Sequence, residues 1–134
     1  MDYWLFKSDP DDYSYDNLEK DGKTVWNGVA NNLALKHLRS VKKGDQAFIY
    51  HTGSEKKIIA IAEVTSEPYP DPLAKDPKLV VVDLKPKLRL SKAVSLEQLK
   101  EIREFSRFDL IRLPRLSVMP VDETKWNRII QLSR

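Results

Sequence analysis

The chain has 134 residues and a formal net charge of +3, from 23 Lys+Arg against 20 Asp+Glu, with no cysteine. This length suits one domain whose core needs no covalent staple, so residues 1–134 are expected to form a single domain. The missing cysteine excludes disulfides, thiol nucleophiles and cysteine-ligated zinc or iron–sulfur sites.

No apolar run approaches the ~20 residues needed to cross a bilayer, and MDYWLFKSDP carries neither a basic leader nor a long apolar region. A soluble cytoplasmic protein is expected, monomeric, with no membrane partner. The charge is uneven. Residues 1–67 hold nine Lys+Arg and eleven Asp+Glu, whereas residues 68–134 hold fourteen and nine. A basic second half suits a phosphate-attracting face, and equally an ordinary solubilising one.

The opening YWLFK reads as a short strand, and SDPDDYS after it is turn chemistry. Ser14 suits the N-cap of a helix to about Lys20, with Gly22 beyond its end. KTVW is a brief extended piece. Asn31 or Asn32 caps LALKHLRSV, whose Ala34, Leu35, Leu38 and Val41 follow helical spacing. QAFIYH and KIIAIAEV form a hairpin candidate across HTGSEKK. Residues 67–77 hold four prolines and read as a rigid loop. LVVVDLKPKLRL is the longest strand, with Val80, Val82, Leu84, Leu88 and Leu90 on one face. Pro86 lacks a donor N–H, which puts the strand at an edge or a bulge there. Ser95 and Gln98 form a capping-box pattern for SLEQLKEIRE, with Leu96, Leu99 and Ile102 inward. A last strand near Leu116–Met119 precedes a helix capped by Asp122, with Trp126, Ile129 and Ile130 inward. Short strands broken by short helices predict an α+β fold with a curved mixed sheet or small barrel.

Several chemistries find no support. His37 reads as a surface residue. The two histidines show no metal spacing, and four glycines cannot supply a phosphate loop. Ser8, Asp9 and His51 lack a strained nucleophile elbow. No metal or cofactor is expected. What remains is rings and amides near loop edges. Trp4 and Trp126 read as core. Trp26 precedes Asn27-Gly28, a turn signal, so its ring can be core or half-exposed. Beside Asn27, Gly28 and Asn31, it has the makings of a base platform. Faces of a base take stacking, and edges take amide donors and acceptors. Lys7, Lys42, Lys43, Arg112 and Arg115 are candidate phosphate contacts.

Four segments in order, YWLFKSDPDDYS, VWNGVANNLALKHLRSVKKGDQAFIYHTG, IAIAEVTSEPYPDP and RLPRLSVMPVDETKW, resemble the EVE domain family. The resemblance implies a PUA-like fold, a curved mixed sheet or pseudo-barrel flanked by short helices. It also implies a non-catalytic reader of a modified base in DNA or RNA. The related YTH domains, which bind N6-methyladenine in RNA, carry a Lys-Ser at the first strand end and a cage tryptophan. Lys7–Ser8 and Trp26 match those positions. The resemblance thus makes Trp26 a stacking wall, with Ser8, Asn27, Gly28 and Val29 around the base edge. Tyr50 and His51 end the F-x-Y-H segment, and Arg115, Leu116 and Ser117 match its R-L-S segment as another wall or phosphate contact. Relatives often carry Asp at position 27 and Arg at position 30, where this chain has Asn27 and Ala30. The preferred base is therefore left open. Two other readings stand beside this one: a general PUA-type RNA-binding module, and an enzyme on a nucleotide with His51 as acid or base.

Overall fold

Seven strands and five short α-helices follow one another in the computed structural model, which describes all 134 residues. They are β1 (Tyr3–Ser8), α1 (Tyr15–Asp21), β2 (Thr24–Trp26), α2 (Asn32–Arg39), β3 (Gln46–His51), β4 (Lys57–Val64), β5 (Tyr69–Pro70), β6 (Val80–Ser95), α3 (Leu96–Lys100), α4 (Asp109–Arg112), β7 (Val118–Pro120) and α5 (Glu123–Leu132). The sheet runs β2-β6-β4-β3-β1-β7, with β5 added to β6, and curls into a half-barrel flanked by the helices. It is mixed: β1 lies parallel to β3, and its other pairings are antiparallel. A parallel neighbour needs a crossover; α1, β2 and α2 supply it. No helix is long and apolar enough to cross a membrane.

The helix starts follow from their caps. Ser14 and Asn17 bond reciprocally, the Asn17 N–H to Ser14 Oγ at 3.1 Å and the Ser14 N–H to Asn17 Oδ1 at 2.9 Å. Asn31 Oδ1 accepts from the N–H groups of Leu33 and Ala34 at 3.0 and 3.1 Å. Ser95 and Asp122 cap α3 and α5 in the same way. Gly22, at φ +77°, ends α1 in the left-handed region that a side chain resists.

The structure departs from the sequence expectations at several places: β5 forms within the segment expected as a loop, and β6 runs on to Ser95. The helix expected from Ser95 stops at Lys100, and a single 3-10 turn follows at Arg103–Phe105. The last strand begins at Val118, two residues late. His37 is half-buried beside Trp4, with ring centroids 6.5 Å apart. Leu88 is 46% exposed, off the face assigned to it. The reason is a bulge: Ile61 pairs with Leu88 but Ala62 with Pro86, which leaves Lys87 unmatched. One extra residue reverses which side chains face in, and a second register shift of the same pair follows between Arg89 and Val94, where Leu90 is buried again. Pro86 sits at that bulge, where its missing N–H costs no regular ladder bond.

One contiguous cluster of 34 buried apolar residues fills the concave side. Phe48 and Tyr3 stack on Trp126, with centroids 3.8 and 4.4 Å away. The buried Asp45 carboxylate ties the start of β1 to the turn before β3. It accepts from Trp4 Nε1 at 2.9 Å, the Lys42 N–H at 2.9 Å and the Asp2 N–H at 3.0 Å.

Candidate functional site

At the far end of β1 a cavity of about 510 Å³ opens between the strand end, the turn after it, β2 and the residue before β7. Lys7 and Ser8 line one side, Trp26, Asn27, Gly28 and Val29 the other, and Ser117 closes a corner. The sheet explains the assembly. The Lys7 N–H donates to the Ser117 carbonyl at 2.9 Å, which brings the approach to β7 beside β1. Antiparallel pairing of Trp26 with Val82 fixes the other wall. Gly28 turns the chain at φ +79°. A Cβ there would meet nothing within 4 Å, so backbone conformation and not space demands glycine.

Trp26 is 8% exposed. Phe6 lies 5.8 Å from it and Tyr13 packs edge-on at 6.4 Å, so its orientation is fixed from behind. Its small free surface belongs to the cavity wall. Ser8 Oγ donates to the Tyr13 carbonyl, which leaves its lone pairs free to accept. Asp9, Asp12, Tyr13, Thr24 and Val25 also line the cavity; sequence reasoning named none of them as a base contact and considered Asp9 only for a nucleophilic site. The signal was present in SDPDDYS, which reads equally well as a solvated turn. Lys7 is the only cation among the lining residues, against two carboxylates. Such a cavity is poorly suited to a phosphate. It suits a neutral ligand with amino groups, which Asp9, Asp12 and Ser8 can accept.

Lys7 Nζ donates to the Pro114 carbonyl at 2.8 Å and lies 5.7 Å from the Tyr50 ring centroid. Burial lowers its pKa below the ordinary lysine value. Tyr50 itself is buried, beneath Lys7 and outside the cavity lining. His51 is 5% exposed and also outside it. Its Nε2 accepts from the Tyr15 N–H at 3.0 Å, so Nδ1 carries the proton and donates to Glu55 at 3.1 Å. Both nitrogens are engaged: Nε2 ties α1 to β3, and Nδ1 holds the turn between β3 and β4. Asn31, Arg115 and Leu116 line a separate groove next to the cavity. Arg112 pairs with Asp109 at 2.8 Å, and Lys42 and Lys43 are exposed before β3, outside the cavity lining.

A further depression of about 530 Å³ lies at the start of β1, between Trp4, Phe108 and the first turn of α5. Several of its polar groups are already occupied: Trp4 with Asp45, Asp109 with Arg112, and Asp122 with Lys125. No three His, Asp or Glu side chains are grouped to hold a metal.

A curled mixed sheet with one polar-rimmed cleft at the ends of β1 and β2 defines a small binding domain. The family is specific: residues 2–132 match the EVE domain, and the chain belongs to that family. Thymocyte nuclear protein 1 of Rattus norvegicus is 28% identical over 164 residues, covering 97% of this chain and 73% of that protein. A Rhodopseudomonas palustris protein solved by NMR has a TM-score of 0.94 at 36% identity, covering 99% of this chain and 93% of that one. Human THYN1 protein, solved in complex with 5-methylcytosine-containing DNA, has a TM-score of 0.92 at 24% identity, covering 100% and 98%. At that identity the likeness speaks for the fold.

Proposed function

We propose that the domain binds one modified base of a DNA or RNA strand, without catalysis, in the cavity beside Trp26. The observation that carries this is the lining itself: a fixed indole next to hydroxyl, amide and carboxylate acceptors, with one cation at the edge. An everted base is read by stacking and edge contacts of this kind. The human THYN1 protein in complex with 5-methylcytosine-containing DNA supports the class of ligand. Asn27 is neutral, but Asp9 and Asp12 supply carboxylates in the lining. The base edge therefore meets acceptors even with a neutral residue at 27. Stacking contributes ~1–3 kcal/mol and burial of one methyl ~0.8 kcal/mol, so preference for the modified base is modest, about three- to fivefold.

The test is a set of short single strands, DNA and RNA, carrying cytosine, 5-methylcytosine, adenine or N6-methyladenine, titrated at several salt concentrations. A several-fold preference for one modified strand is expected. Equal affinities across the set, with a steep salt slope, would instead favour a general backbone-binding module.

Lys7 adds a pH signature. A strand phosphate near its ammonium favours the charged form, so the Lys7 pKa is higher in the complex than in the free domain. Between those two values binding takes up a proton, and affinity falls as pH rises. The alkaline decline should begin below the ordinary lysine range and flatten in Lys7→Met.

A further inference from the structure

The groove holding Asn31, Arg115 and Leu116 is lined further by Leu33, Arg112, Leu113 and Pro114, with a volume of about 310 Å³. Its character is opposite to that of the base cavity: it is chiefly apolar, with two arginines at its edge. Leu33 is 39% exposed, in the first turn of α2. The groove and the cavity share no lining residue, yet they abut at two places in the chain. Val29 lines one and Asn31 the other; Ser117 lines one and Leu116 the other. The wall between them is crossed by Lys7, whose Nζ bonds the Pro114 carbonyl at 2.8 Å.

Arg115 is exposed and makes no ion pair or side-chain hydrogen bond, whereas Arg112 is held by Asp109 at 2.8 Å. A free guanidinium above an apolar floor is a place for a flat ring, since arginine planes stack on unpaired bases. The cation at the dividing wall lies where a linker between two occupants would carry negative charge.

We infer that this groove takes the nucleotide next to the bound base, so that the domain reads two adjacent residues of one strand. Its floor is Leu33, Leu113 and Leu116, its cover is Arg115, and the joining phosphodiester passes Lys7. The inference rests on the cavity holding a base. It adds dependence on sequence context, on the side of the bound base where this groove lies.

The experiment uses the whole domain and single strands carrying one 5-methylcytosine, with an abasic site placed immediately 5′ or immediately 3′ of it. One of the two abasic strands is expected to bind about tenfold more weakly, the loss of one stacked base. In Leu33→Ser, an exposed position that tolerates a polar residue, and in Arg115→Gln, that difference should shrink to about twofold or less. Equal binding of both abasic strands overturns the inference, as does a flank effect unchanged in both variants. The two readings fail separately. A preference for the methylated strand without flank dependence strikes the groove alone. Flank dependence abolished by the groove variants, with no preference for the methylated strand, strikes modified-base selection alone.

Discussion

Asp45→Ala is expected to lower stability by about 3 kcal/mol, among the largest effects of any single polar substitution in this domain. Asp45 is 2% exposed and accepts three hydrogen bonds, from Trp4 Nε1 and from the N–H groups of Lys42 and Asp2. Alanine leaves all three donors without their acceptor. The Trp4 donor is fully enclosed, so it bears the whole desolvation penalty; the other two are part-buried and regain water in part. About 1–3 kcal/mol for each enclosed donor, discounted for the two that water reaches, gives the figure. Asp45→Asn keeps the shape but has one acceptor oxygen and an amide NH2 that faces donors, so it recovers only part of the loss. Urea unfolding checks this: the midpoint should fall with little change in slope. A loss under about 1 kcal/mol for the alanine would show that water or a shifted loop replaces the carboxylate. The consequence reaches the site, because Asp45 clamps the register that sets Lys7 opposite Tyr50 and Ser8 opposite His51.

Much of the fold could be read because its signals are local. The caps at Ser14, Asn31, Ser95 and Asp122 depend on three or four consecutive residues, and each side chain bonds the backbone within its own turn. Leu88 could not be read, because a bulge is a property of two strands together. Nothing in KPKLRL says that Lys87 lacks a partner. The cavity divides along the same line. Lys7, Ser8 and Trp26–Val29 come from the ends of two strands that are not sheet neighbours but line one cavity, and each was marked by its own short motif. Tyr50 and His51 share a motif but occupy neighbouring strand positions, whose side chains point to opposite faces. His51 is spent on the Tyr15 N–H and Glu55. Arg115 and Leu116 fall just across the Lys7 wall from Ser117. Asp9, Asp12 and Tyr13 were hidden for another reason: a turn and a cavity rim use the same residue types. Only the approach of β2 to the end of β1 tells them apart.

Trp26 carries the second large effect, and its burial decides how that effect must be measured. Trp26→Ala removes a ring that is 8% exposed and packed between Phe6 and Tyr13. The expected cost is about 3–5 kcal/mol of stability from lost burial and the void left behind. Against a typical total of about 5–15 kcal/mol, that alone can unfold enough protein to abolish binding. A failed titration with the alanine variant therefore says nothing about stacking. Trp26→Phe is the better probe, because it keeps an aromatic in the core while shrinking the wall of the cavity. Phe6→Leu is its control: Phe6 is fully buried against Trp26 and does not line the cavity. Both variants should lose about 1–2 kcal/mol of stability. With affinities corrected for the folded fraction, Trp26→Phe should bind the preferred modified strand about tenfold more weakly, and Phe6→Leu should bind it as the wild type does. The tenfold figure corresponds to about 1.4 kcal/mol, within the ~1–3 kcal/mol that stacking of one base contributes. If the two variants lose affinity in step with stability, the indole is a core residue only, and the cavity selects its ligand through Ser8, Asn27 and the two carboxylates.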